Sequence, residues 1–491
     1  MKRLKPIMLG GTGSDVGKSM LAAGLCRIFL QDGYQPAPFK AQNMALNSFA
    51  TPDGREIGRA QAVQAEAAGL PCSTDMNPIL LKPTGERTTQ VILDGLPDGN
   101  TDAWSYFRKE GRERLRDHAN GAFHRLAARY NPIVMEGAGS ISEINLRETD
   151  LVNMPMAREA DASVLLVADI DRGGVFASAY GSIMLQTEED RKRIKGIIIN
   201  KFRGDIRLFD NGRRMMEEIC GVPVLGVVPY RRDIHIEEED SLGLSGKSRR
   251  AMAGKVNMAV VLLPHLSNFT DFNRLELDPR VNLYYAASGA DLPGADVVII
   301  PGTKSTIADL AWLREHGSDR AIAAARERGA TIMGICGGYQ MMGRRILDPD
   351  GVESEVKESP GLCMLPCETV LLPGKTTRQV RFTLRGDDTP CTGYEIHAGA
   401  TDTGGATPLC ILDTGEPDGC VADSHCFGTY IHGILDNDAV VDRLIALHSD
   451  NPEMMRFDYK AYRESQYDAL AAQLRESLDM DLLYKIMGRD D

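Results

Sequence analysis

The stretch Gly11-Thr12-Gly13-Ser14-Asp15-Val16-Gly17-Lys18-Ser19 decides the reading of this chain. It follows a short apolar run, Ile7-Met8-Leu9, and opens a segment with helical spacing. There Leu21, Leu25, Ile28 and Phe29 fall on one face, and Gly33 supplies a stop. A glycine-rich turn between a strand and a helix leaves backbone N–H groups free to cradle phosphate. The lysine adds a point charge, and the serine hydroxyl reaches Mg2+. The usual spacing has a glycine where Thr12 stands, and here Gly11 lies one residue further back. A plain glycine-rich turn with a capping serine is the alternative, and the strand–loop–helix context argues against it.

Outward from this loop, buried-strand runs alternate with helical patterns, as in a parallel α/β sheet. The runs are Ile133-Val134-Met135, Val164-Leu165-Leu166-Val167-Ala168, Ile197-Ile198-Ile199 and Val224-Leu225-Gly226-Val227-Val228. An acidic run, Glu237-Glu238-Glu239-Asp240, then leads into small polar and basic residues and reads as a linker. A second α/β pattern starts beyond it, with strands expected at 256–263, 281–286, 297–300 and 331–335. From Asp438 the chain turns helical and polar, with Leu444, Leu447, Leu470, Leu474, Leu482 and Leu483 as packing residues. The expected fold is therefore α/β in two domains, a P-loop parallel-sheet domain and a second α/β domain. The boundaries are 1–236, a linker at 237–252, 253–437, and a helical C-terminal extension at 438–491.

A second chemical centre lies in Gly334-Ile335-Cys336-Gly337-Gly338-Tyr339-Gln340. An apolar strand runs into a cysteine flanked by glycines and then into a helical stretch, the layout of a nucleophile elbow. The helix N-terminus favours the thiolate, and the Gly337 N–H is placed to stabilise an oxyanion. Further on, Phe427-Gly428-Thr429-Tyr430-Ile431-His432-Gly433 sets a histidine at the end of a short strand, so Cys336 and His432 form a candidate nucleophile–base pair. His397 competes with His432 for the role of base. The loop Pro301-Gly302-Thr303-Lys304-Ser305-Thr306 follows another strand and offers a second glycine, Gly302.

Composition bounds the rest. The chain has 491 residues, too many for one core, with 43% hydrophobic and 25% charged residues, ordinary for a soluble globular protein. A net charge of −13 argues against a nucleic-acid binder. No apolar run approaches the ~18 residues of a membrane span, and the basic start Met1-Lys2-Arg3-Leu4-Lys5 precedes too short an apolar stretch for a signal peptide. A cytoplasmic protein with no membrane partner is expected. Ten cysteines in this length are no disulfide scaffold. Cys363, Cys367, Cys420 and Cys426, with His397 and His425 nearby, match no standard zinc spacing and read as scattered reduced thiols.

Three resemblances follow from these residues. The long phosphate loop ending Val-Gly-Lys-Ser resembles the dethiobiotin synthetase branch of P-loop enzymes, which phosphorylate carboxyl-type substrates. The elbow and His432 resemble the class I, triad-type glutamine amidotransferases, in which a cysteine attacks the glutamine amide and ammonia is released. In that family a glutamate stands two residues after the histidine. Here Ile434 does, so the orienting carboxylate is missing from its usual place, a departure typical of the branch amidating corrin carboxylates. Further segments resemble the cobyric acid synthase family along essentially the whole chain. They are Pro38-Phe39-Lys40-Ala41-Gln42-Asn43-Met44 with Asn47-Ser48 shortly after, Gly54-Arg55-Glu56-Ile57-Gly58-Arg59-Ala60-Gln61, Glu136-Gly137-Ala138-Gly139-Ser140, Asp169-Ile170-Asp171-Arg172-Gly173-Gly174-Val175-Phe176 and Gly393-Tyr394-Glu395-Ile396-His397.

That resemblance implies ATP- and glutamine-dependent amidation of a corrinoid. The b, d, e and g carboxylates of adenosylcobyrinic acid a,c-diamide become amides, through acyl phosphates and with Mg2+. It places ATP on Gly11, Thr12, Gly13, Asp15, Val16, Gly17, Lys18, Ser19 and Asn200, with Lys201 beside the last. Ser19 and Glu136 are implied metal ligands, with Asp53, and less directly Glu56, as further candidates. Lys40 stabilises the transferring phosphoryl group or is a solvated lysine, and Arg172 meets a substrate carboxylate or forms a surface salt bridge. Gly302 and Gly337 form the oxyanion site. Rivals are a cobyrinic acid a,c-diamide synthase, a non-corrinoid carboxylate amidotransferase acting on a cell-wall lipid precursor, and a nonenzymatic P-loop switch.

Overall fold

The structure, a computed structural model, describes residues 3–83, 88–106, 111–237, 250–449 and 457–489. The chain forms two compact units. One comprises Met1–Ala45, Ile57–Glu237 and Lys460–Asp491, and the other Leu46–Glu56 and Glu238–Tyr459. Most of the expected linker, residues 238–249, lies outside the described residues.

The first unit is built on six parallel strands. Their order across the sheet is Val224–Pro229, Ile194–Phe202, Ser163–Asp169, Ile7–Gly11, Ile133–Glu136 and Ala37–Phe39. The central strands are buried along their full length, which is why their sequences are apolar runs rather than alternating ones. Ile7–Gly11 occupies the middle, with later strands added on both sides. Its carboxyl end is thus the crevice where open α/β sheets bind ligands, and the helix Lys18–Gln31 begins directly beyond the phosphate loop. A smaller sheet, unforeseen in the sequence, pairs Gln42–Met44, Ile79–Pro83, Thr88–Leu93 and Leu96–Asp102.

The C-terminal extension expected at 438–491 is not one piece. Residues up to Tyr459 belong to the second unit, and those from Lys460 onward complete the first. Leu470, Ala471, Leu474, Leu478, Leu483 and Met487 enter the same core as Leu9, Ile28 and Leu225. A helical leucine stripe announces that a face is covered, not what covers it.

The second unit carries a sheet ordered Val281–Ala286, Val256–Val261, Val297–Ile300, Thr331–Ile335, Cys426–Thr429 and Cys420–Asp423, parallel except for the last pair. Beside it stands a second sheet whose backbone is the long antiparallel pair Glu368–Leu384 and Cys391–Asp402. Its signal was present in Val380, Phe382 and Leu384, which alternate with polar residues and are buried. No helix among the described residues is long and apolar enough to cross a membrane.

Candidate active sites

The phosphate loop has the expected geometry. Thr12 prolongs the central strand, its N–H donating to the Val167 carbonyl at 3.0 Å. Gly17 has a φ of 94°, and a Cβ there would lie 2.2 Å from the Asn200 side-chain nitrogen, so only glycine fits. Asn200 donates from that nitrogen to the Val16 carbonyl at 2.8 Å, and Lys201 donates to the Asp15 carbonyl. Both residues brace the loop from the strand Ile194–Phe202, two places along the sheet from Ile7–Gly11. Lys18 folds back over it, donating to the carbonyls of Gly13 and Gly139 at 2.9 Å each. Arg172 is exposed at 66% of its side chain and faces Asp15 at 3.4 Å and Asp169 at 3.8 Å.

Glu136 is the hub of this site. Its Oε1 accepts from the Ser19 hydroxyl and the Lys40 ammonium at 2.8 Å each, and its Oε2 from the Gln64 amide at 2.7 Å. Burial opposes its charge, but Lys40, Gln64 and Lys18 outweigh that and hold its pKa below the ordinary carboxylate value. Lys40 is therefore a buried partner of Glu136 and not a solvated lysine. Gln64 was absent from the sequence reading, and its own carbonyl oxygen is buried with no donor among the described residues. An anionic carboxylate, a hydroxyl and an unpaired carbonyl oxygen make an all-oxygen donor set suited to a hard divalent cation.

Asp53, the further candidate metal ligand, has partners of its own. It belongs to the other unit, where Thr51 donates to it at 2.5 Å and Arg55 approaches at 3.5 Å, and its side chain is 63% exposed. The Thr51 hydroxyl also accepts the Arg55 N–H at 3.0 Å, so this turn is held by Thr51. Glu56 is likewise engaged within that unit, buried and ion-paired with Lys375. All ten cysteines are free.

In the second unit Cys336 terminates Thr331–Ile335 with φ 52° and ψ −112°, and the helix Gly337–Met342 starts at the next residue. That strained backbone is the elbow. It depends on close approach: a Cβ on Gly338 would lie 2.0 Å from the Ile300 carbonyl oxygen. The adjoining loop brings Gly302 against the candidate base, since a Cβ there would meet His432 Cε1 at 3.0 Å. A Cβ on Gly337 would lie 3.2 Å from the Thr303 nitrogen, so the two candidate oxyanion segments flank one space.

His432 is buried, and its Nδ1–H donates to Asp271 Oδ2 at 2.7 Å. Asp271 Oδ1 also accepts the Gly433 N–H at 2.9 Å, so the carboxylate is fixed in two directions. Burial disfavours the imidazolium, yet Asp271 and the hydrogen-bonding Cys336 sulfur raise the His432 pKa to about 10. The carboxylate that Ile434 cannot supply thus arrives from a separate turn, Phe269–Phe272. Ile434 itself is fully buried.

His397 is held differently. Its Nδ1–H donates to the Gly399 carbonyl at 3.2 Å, and its ring stacks on Tyr430 at 3.7 Å. Burial first, and then the nearby His432 charge, push its pKa down to about 4, so it is a neutral packing ring.

Comparison with known proteins agrees with these two centres. Residues 7–243 match the model of the CobQ/CobB/MinD/ParA nucleotide binding domain, and residues 257–440 that of the CobB/CobQ-like glutamine amidotransferase domain. A cobyric acid synthase of Phocaeicola vulgatus is 63% identical and one of Bacteroides fragilis 62% identical, each over the whole of both chains. A cobyric acid synthase of Salmonella agona is 48% identical over 98% of each. With a nucleotide-binding unit and a glutamine amidotransferase unit in one continuous match, the chain belongs to the cobyric acid synthase family of glutamine-dependent amidating ligases.

Proposed function

We propose that this protein converts adenosylcobyrinic acid a,c-diamide into adenosylcobyric acid by amidating its b, d, e and g carboxylates in the cytoplasm, with ATP and Mg2+ and with glutamine as nitrogen donor. The observation that carries the reading is the pairing, in one chain, of a Cys336–His432–Asp271 relay with a phosphate loop closed over Glu136. A carboxylate does not react with ammonia in neutral water, because its oxygen is a poor leaving group. Transfer of the ATP γ-phosphoryl to that oxygen gives an acyl phosphate and ADP. Ammonia then attacks the carbonyl carbon, phosphate leaves, and a carboxamide remains.

At the glutamine site the Cys336 thiolate attacks the side-chain amide. The oxyanion rests on the amides at Gly302 and Gly337, and His432 delivers a proton to the departing ammonia. Water hydrolyses the thioester to glutamate. Asp271 holds the imidazole in the tautomer with its proton on Nδ1 and stabilises its charge. At the other site the amides of Gly13, Asp15, Val16 and Gly17 with Lys18 hold the phosphates, Gly11 and Thr12 carry the central strand into the loop, and Asn200 keeps the loop in shape. Ser19, Glu136 and the Gln64 carbonyl would hold Mg2+, which when bound would neutralise the charge developing on the phosphates. Lys40, ion-paired with Glu136, stabilises charge on the transferring phosphoryl group, and Arg172 meets a substrate carboxylate with its planar fork.

Mass spectrometry of the product tests this. With ATP, Mg2+, glutamine and the corrinoid diamide, four successive exchanges of hydroxyl for amino group are expected. Cys336→Ala should abolish them with glutamine and preserve them with ammonium. Full glutamine use by that variant would overturn the glutaminase assignment. Turnover of cobyrinic acid itself at its a and c positions would instead identify an a,c-diamide synthase.

A further inference from the structure

We propose that Leu46–Glu56, which the second unit takes from within the ATP-binding half of the sequence, is a positioning element of the glutamine site, acting through Asn47 on Asp271. The inference rests on the glutaminase reading above. Asp271 sits in one short turn, Phe269–Phe272, whose preceding residue Asn268 has φ 52° and ψ 40°. A left-handed conformation costs a non-glycine residue free energy and persists only when its surroundings impose it.

The imposing contacts come from the inserted segment. The Asn47 side-chain oxygen accepts the Phe269 N–H at 3.1 Å. The Asn268 side-chain nitrogen donates to the Ser48 carbonyl at 3.3 Å and to the Tyr394 hydroxyl at 3.0 Å. The Phe49 ring lies 4.5 Å from the Tyr394 ring, and Tyr394 stacks on His432 at 5.3 Å. Tyr394 and His432 also exchange backbone hydrogen bonds at 3.0 and 2.8 Å. Both His432 and its carboxylate partner therefore lean on this segment. Its far end is tied down by Gln379, which donates to the Ala50 carbonyl at 2.9 Å, and by the Lys375–Glu56 ion pair. Asn47 and Ser48 are each 1% exposed, so these are interior contacts. Asn47 lies behind the Asp271 turn and acts through it, which makes it a positioning residue.

The test uses the full chain and two nitrogen sources, glutamine and ammonium, across a pH series. Asn47→Ala is expected to lower glutamine-driven kcat by about tenfold to a hundredfold with little change in glutamine KM, since small misplacement of a catalytic group costs this much. The alkaline limb of its glutamine profile should move to lower pH, because the imidazolium loses part of its counter-charge. Ammonium-driven amidation should be unchanged. Asn47→Asp keeps an acceptor oxygen and should recover part of the rate. Phe49→Ala, which leaves the Asn47 bond intact, should show the same split if Asn47→Ala does not fold. Wild-type glutamine kinetics in these variants, or equal losses with both nitrogen sources, would overturn the proposal. Glutamine use by Cys336→Ala would instead remove the reading on which it rests.

Discussion

At the scale of single residues, the proposed glutamine site turns on the 2.7 Å bond between His432 and Asp271. Exchange of Asp271 for Asn leaves the shape and removes the charge. On the precedent of orienting carboxylates in other triads, glutamine-driven turnover should fall on the order of 10²–10⁴-fold. The ammonium-driven rate should hold. The pH consequence has a definite sign. With His432 raised to about 10, its contribution to stability is complete below its ordinary value near 6.5 and is lost as pH rises through about 10. Chemical denaturation of the wild-type chain between pH 7 and 10 should therefore show falling stability, and Asp271→Asn should flatten that slope. The proposed nucleophile and base were legible as candidates, because strand–cysteine–glycine and strand–histidine–glycine are local patterns. Asp271 was not, because it lies 161 residues from its partner on a turn with no periodic signature. Ile434 told only that the orienting carboxylate was missing from its usual place.

At the scale of elements, both sites are strand ends followed by helices, and both depend on glycine for close approach. Gly338→Ala sets a methyl group 2.0 Å from a backbone oxygen of the strand Val297–Ile300. Neither partner can yield, so the elbow must open. Glutamine hydrolysis should be lost beyond detection, with a lower Tm and with ammonium-driven amidation still measurable where the chain remains folded. The parallel strands were readable to within a few residues because burial on both faces makes them continuous apolar runs. The hairpin of Glu368–Leu384 with Cys391–Asp402 was missed because much of it is half-exposed, and polar residues such as Arg378 and Gln379 interrupt its alternation.

At the scale of the whole molecule, the order of the sequence is not the order of the units. The helix Tyr459–Ser477 places Leu470 and Leu474 in the core of the ATP-binding unit, far in sequence from the strands they cover. Leu474→Ala should destabilise that unit by about 2–5 kcal/mol, the range for truncating a buried leucine. Thermal unfolding should show the loss, and saturating ATP with Mg2+ should restore part of it by binding only the folded form. Composition and period could locate those leucines but could not say which core they entered.

The interleaving has a bearing on biosynthesis. A chain emerging from the ribosome begins the nucleotide-binding unit first, yet that unit lacks the cover for Ile28 and Leu225 until residues 460–489 have been made. The unit begun second has all its described parts once Tyr459 is out. Maturation should thus run in reverse, with the glutamine-handling half protected from protease on stalled nascent chains while the phosphate-handling half is still open to cleavage.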